Sequence, residues 1–404
     1  MNNLEIMGLI LFLTFVILLS ESRIIKPVIN KHKVNFYNIQ ILRGLAALQV
    51  LVFHMYPYVY GIAKQHTIFD FHQKVMPVGF GAWFFFVISG FIMGHLIHTN
   101  YNSFLMRRFL RIYPIYIITA MIILCVKICC FGAVSNKGLF QALTLFPGHD
   151  RSIDYPLFIE WTLLYEVFFY LVCSIFALGN NKRFFLPFVI IWFAAITLFQ
   201  IFENVSAPMV PDVTNIAISA YNVLFIFGVI AYHIFLTGKE RILNLFVKKM
   251  TAVWALIVVG LSVMVMSIKL VGNTFFMLLF FGAASGMIIV IVSVLEIGKD
   301  AMKQSFLQKL FIRIGDYSYG IYLIHANFLA IVISLMVHRK IPVNSFSSFI
   351  LMCLTLAVGC IWGKFDISFH KKLSHLRFPI NLCFNVRNFP WRYSGSQNLD
   401  NSLR

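Results

Sequence analysis

Eleven apolar stretches, each close to twenty residues long, recur along this chain with short basic loops between them. They cover about residues 4–20, 41–60, 79–97, 110–131, 157–178, 184–202, 215–236, 251–271, 274–295, 316–337 and 346–367. A helix of that length crosses the hydrocarbon core of a bilayer, about 30 Å thick. Backbone N–H and C=O groups find no water there, so each stretch must satisfy them internally as a helix. The period-two alternation of a membrane barrel is absent. The expected fold class is all-α: a polytopic membrane bundle of about eleven helices. Composition agrees, because 60% of the 404 residues are hydrophobic and 12% charged, more apolar surface than a water-soluble core absorbs.

The net charge of +18 raises the question of nucleic acid, but its distribution answers it. Lys and Arg collect in the cytoplasmic loops of membrane proteins. With the N-terminus outside, the inner loops and the tail hold 23 Lys and Arg and the outer loops 7. That bias predicts an outside N-terminus and a cytoplasmic C-terminus, with membrane lipids and not nucleic acid as the surroundings. The first stretch carries Glu5 ahead of it instead of a basic region, and Arg23, Lys26, Lys31 and Lys33 follow it, so it reads as a retained helix and not a cleaved signal. The seven cysteines show no paired spacing, so no metal site or disulfide framework is expected.

Ionisable side chains inside such stretches are costly, and each marks a candidate functional site. Arg43 and His54 are eleven residues apart, which returns them to one helix face about 16 Å apart, with His54 near mid-depth. Glu166, counted from the outer start of its stretch, lies about 13 Å deep, a similar level, so the pair His54 and Glu166 is expected. Asp316 stands near the inner start of the tenth stretch, and His325 again near mid-depth, about 13 Å further along. Arg108 and Arg111 project from one side of a helix at the inner surface, and guanidinium forks match phosphate oxygens. Ser89 and Gly90 read as close helix packing rather than nucleophile chemistry, since no nucleophile-elbow motif is present. Glu160, near the outer boundary, and His66, His72 and His149, in outer loops, are expected to be solvated.

Five segments in order resemble the bacterial integral-membrane acyltransferase type 3 family. They are residues 42–54 (LRGLAALQVLVFH), 84–93 (FFFVISGFIM), 107–114 (RRFLRIYP), 161–170 (WTLLYEVFFY) and 315–325 (GDYSYGIYLIH). The resemblance covers about residues 37–367 and is similar to the branch that O-acetylates exopolysaccharides. Gln40 stands where many members carry Asp, and Gly81, Ala82 and Trp83 where many carry Gly-x-Asp. The resemblance implies an acyl-CoA donor, acetyl-CoA or another acyl-CoA, with no permanently bound cofactor and no metal. It also implies a glycan or lipid-linked glycan acceptor in the envelope of a bacterial inner membrane. His54 and Glu166 would then be catalytic, Arg43, Arg108 and Arg111 would bind acyl-CoA, and His325, Asp316, Tyr165 and Ser89 would surround the site. Residues 1–36 are expected to form an added membrane helix and basic linker, 37–367 the acyltransferase domain, and 368–404 a basic cytoplasmic tail, loosely ordered from about 370. A lipid headgroup or small metabolite as acceptor, or a non-enzymatic transporter with buried charges, are the alternatives.

Overall fold

The computed structural model describes residues 36–71, 80–99, 104–132, 139–147, 156–177, 181–203, 208–248, 260, 274–296 and 305–375. Ten α-helices run through them: α1 (Tyr37–Tyr58), α2 (Phe80–His98), α3 (Phe104–Phe131), α4 (Leu139–Thr144), α5 (Glu160–Ala177), α6 (Phe185–Glu203), α7 (Asn222–Lys248), α8 (Thr274–Val294), α9 (Phe306–His338) and α10 (Ser345–His375). No strand occurs among the described residues. All but α4 belong to the nine helical spans long and apolar enough to cross a membrane, matching nine of the eleven expected stretches. The other two, 4–20 and 251–271, lie outside the described residues, Gly260 excepted, as do residues 1–35 and 376–404.

Several helices extend beyond their apolar stretches, for local reasons. α9 begins at Phe306, ten residues before the expected start, because Ser305 and Gln308 form a reciprocal capping box. Asp316 therefore lies well inside a helix instead of at its mouth. α3 begins at Phe104, so Arg107, Arg108 and Arg111 share one helix. α10 continues through Asp366 and His370 to His375, past the apolar stretch ending at 367 and into the segment from about 370 where a loosely ordered tail was expected. α7 begins late, at Asn222, because residues 208–221 fold as a packed loop in which Asp212 Oδ1 accepts the Thr214 and Asn215 N–H groups at 2.8 and 3.1 Å.

The start of α1 lacks a cap of its own, since Phe36 supplies no side-chain acceptor. Glu296, just beyond α8, fills the role from 258 residues away by accepting the Asn38 N–H at 3.0 Å and the Tyr37 N–H. A carboxylate there also complements the positive end of the helix dipole. Asn38 Nδ2 donates to Val292 O at 2.8 Å and ties the same helix ends together.

α1 packs against α9, α9 against α10, α2 against α7 and α7 against α8. Small residues permit the closest approaches, as expected where lipid offers no hydrophobic drive between helices. A Cβ on Gly315 of α9 would collide with the Gln40 carbonyl of α1, and one on Gly44 would meet the Phe311 carbonyl. This contact fixes the register of α1 against α9. Its consequence appears ten residues further along both helices.

Candidate active site

Ten residues beyond Gly44 is His54, and ten beyond Gly315 is His325. Equal numbers of residues advance both helices by about 15 Å, so the two imidazoles arrive at one height. Their ring centroids are 4.9 Å apart, and His325 Nε2 lies 3.3 Å from His54 Nδ1. His54 Nδ1 is 2.8 Å from Val50 O, and His325 Nδ1 is 2.7 Å from Tyr322 O. A carbonyl only accepts, so both rings carry their proton on Nδ1, as assigned from these partners. His325 Nε2 is then a lone pair facing the His54 Nδ1–H, and His54 Nε2 is a lone pair with no hydrogen-bond partner among the described residues. His54 is partly exposed, while His325 is 1% exposed.

Aromatic and hydroxyl groups complete this region. Tyr58, one turn after His54, holds its ring 6.0 Å from the imidazole. Tyr322, one turn before His325, holds its ring 5.5 Å away, and its hydroxyl is 2.7 Å from Thr162 Oγ1. Sequence reasoning missed these three residues. The i,i+4 and i,i+3 spacings of the two tyrosines from the histidines were the available signal.

The expected pairing of His54 with Glu166 is not the one formed. Glu166 accepts hydrogen bonds from Tyr170 Oη and, at 3.3 Å, from Ser89 Oγ. The helices are staggered so that Thr162 of α5, not Glu166, meets Tyr322. Glu166 follows four residues later, and Tyr322 precedes His325 by three. Seven residues of rise put the carboxylate about 10 Å below the imidazoles. There it joins the arginines. Arg43 lies within electrostatic reach of Glu166, Asp316, Tyr170 and Arg111, and its Nη1 donates to Gln40 Oε1 at 3.3 Å. Arg108 is buried, its guanidinium 5.7 Å from the Tyr170 ring centroid.

Arg111 is engaged. Its Nη1 donates to Asp366 Oδ2 at 3.0 Å, and its guanidinium lies over the Tyr319 ring at 5.3 Å. Asp366 is fully buried, and His370 Nε2 approaches its Oδ1 at 3.1 Å. This knot of α3, α9 and α10 explains why α10 stays helical so far. Sequence reasoning treated Arg111 as a free phosphate ligand and gave Asp366 no role.

Two further expectations are corrected. Tyr165 does not face the histidines: its hydroxyl donates to Pro208 O at 2.8 Å and pairs with Ser219 Oγ at 2.9 Å, pinning the loop before α7. Glu160 is not solvated but fully buried, its Oε1 accepting the Leu157 N–H at 2.7 Å and the Tyr116 hydroxyl at 3.5 Å. The helix begins at Glu160 itself, so the side chain folds back over its own start. His66 pairs with Asp70, and His72 and His149 lie outside the described residues. Among the described residues no group of His, Cys, Asp or Glu is arranged to hold a metal ion.

The bundle thus carries one buried polar system with two ends: arginines and carboxylates at one, and an uncharged imidazole pair at the other. Tyr322 joins them, since it lies within electrostatic reach of Glu166 and holds its ring 5.5 Å from His325. This defines a multi-pass helical membrane protein with a histidine pair inside its bundle. The chain belongs to the acyltransferase type 3 family, whose model, described as an acyltransferase domain, matches residues 36–363. It is a membrane acyltransferase. No curated protein and no solved structure gives a significant match.

Proposed function

We propose that the protein is an O-acyltransferase that moves an acetyl or similar acyl group from cytoplasmic acyl-CoA to a hydroxyl of an envelope or extracellular polysaccharide. The observation that carries this reading is the lone pair of His54 Nε2, inside a bundle whose other end gathers Arg43, Arg108 and Arg111. In this reading the arginine end faces the cytoplasm of a bacterial inner membrane, as the positive-inside bias expects.

Arg108 and Arg43 bind the phosphates of acyl-CoA, and Arg111 joins them by exchanging Asp366 for a phosphate oxygen. Glu166 balances these cations before the donor arrives. The pantetheine arm extends along the tyrosines and brings the thioester to His54. His54 Nε2 removes the acceptor hydroxyl proton as that oxygen attacks the thioester carbonyl. A base at mid-depth lets a donor on one side of the membrane meet an acceptor on the other.

The test is His54→Ala in producing cells, with membrane insertion verified and envelope-glycan O-acetyl groups counted by NMR. O-acetylation should be lost. Undiminished O-acetylation removes His54 from the chemistry.

A further inference from the structure

We propose that His325 is the positioning residue for His54: its Nε2 lone pair accepts the His54 Nδ1–H and holds the reactive ring with Nε2 toward substrate. The proposal rests on the reading of His54 as the base and adds what orients that base.

Four observations converge on it. The two nitrogens are 3.3 Å apart, with the rings inclined at 62°. The Tyr322 carbonyl takes the His325 Nδ1–H at 2.7 Å, which leaves Nε2 of His325 able only to accept. His325 is buried behind the partly exposed His54, where a supporting group belongs and a reacting one does not. The register that brings them together is set by the Gly44–Gly315 approach, ten residues from each. Val50 O also accepts from His54 Nδ1, but a helix carbonyl already serves the backbone ladder.

Among the described residues no carboxylate is hydrogen-bonded to His54. Glu166 is bound to Tyr170 and Ser89, and Glu160 to the Leu157 N–H. A neutral imidazole suits the position, because an ionised partner inside the bilayer is costly while the site rests empty. The proton balance is simple. The acceptor O–H proton passes to His54 Nε2 as the C–O bond forms. The C–S bond breaks, and the CoA sulfur takes that proton back from Nε2. The Nδ1–H stays with His54 throughout, bonded to His325, and His325 neither gains nor loses a proton.

The test compares full-length wild type, His325→Leu, His325→Gln and His54→Ala in lipid nanodiscs. It measures acetyl-CoA binding, O-acetylation in producing cells, and the imidazole tautomers by 15N NMR of histidine-labelled protein. Leucine removes the acceptor, whereas the glutamine amide oxygen reaches about where Nε2 stood. His325→Leu should cut transfer about ten- to a hundredfold, by analogy with the loss of outer partners that orient metal-binding histidines, with acetyl-CoA affinity unchanged. His54 should change from Nδ1–H alone to a mixture, and His325→Gln should recover most of the rate. If leucine does not insert, His325→Asn, whose amide stops short of His54, takes its place, and equal rates for Asn and Gln overturn the proposal. Unchanged transfer and tautomer in His325→Leu, beside an inactive His54→Ala, overturn the proposal alone. An active His54→Ala overturns the base assignment beneath it.

Discussion

The two ends of the buried polar system solve the problem of polarity in a membrane in opposite ways. At the arginine end, cations meet carboxylates: Arg111 on Asp366, and Arg43 among Glu166 and Asp316. At the histidine end the two imidazoles and two carbonyls satisfy one another, and the nearby Glu160 carboxyl is held on the Leu157 N–H. Paired charges hold a geometry firmly and can be exchanged for the charges of an anionic ligand. Neutral rings keep a lone pair available and can take a proton without first breaking an ion pair. In the proposed mechanism recognition falls to one end and proton transfer to the other.

Substitutions at each end break or sharpen that division. The largest effect should come from Gly315→Leu, whose side chain would drive into the Gln40 carbonyl and part α1 from α9. Both ends should fail together: transfer is lost, and thermal unfolding in detergent shows a loss of about 3 kcal/mol, the upper range for overpacking. Arg108→Ala should touch one end alone. Losing a charge-assisted contact of about 2 kcal/mol weakens acyl-CoA binding by about thirtyfold by calorimetry, with kcat retained. Asp366→Asn should act in the reverse sense. It frees Arg111 from its carboxylate and tightens acyl-CoA by up to about tenfold, while the thermal midpoint falls because a partly buried guanidinium loses its counter-ion. Glu296→Ala should matter least. It removes the borrowed cap of α1, costs about 1 kcal/mol of stability and leaves kcat unchanged.

Much of this was legible in the residues. Apolar length located nine described spans, and the eleven-residue spacing of Arg43 and His54 put both on one helix. His325 and Glu166 were both visible as ionisable groups at depth. The partner of His54 was not legible, because periodicity gives the face of a helix and is silent on which helix lies beside it. Depth counted from the ends of an apolar stretch assumes that all spans start level, and the stagger of α5 moved Glu166 into the arginines. Glu160 looked exposed for the same reason. The matching ten-residue intervals from Gly44 to His54 and from Gly315 to His325 carried the missing information. They become a signal only once those glycines are known to touch. Asp366 lay inside an apolar stretch and paired with an arginine 255 residues away, a distance in sequence that no local pattern bridges.

Acetyl-CoA binding and acetyl transfer, measured side by side on purified His54→Ala and Arg108→Ala, probe the separation of the two ends most directly. His54→Ala should bind acetyl-CoA as wild type does and transfer nothing, and Arg108→Ala should bind weakly yet transfer at the wild-type rate once saturated. Loss of acetyl-CoA binding in His54→Ala, with binding intact in Arg108→Ala, would contradict the division of recognition from chemistry.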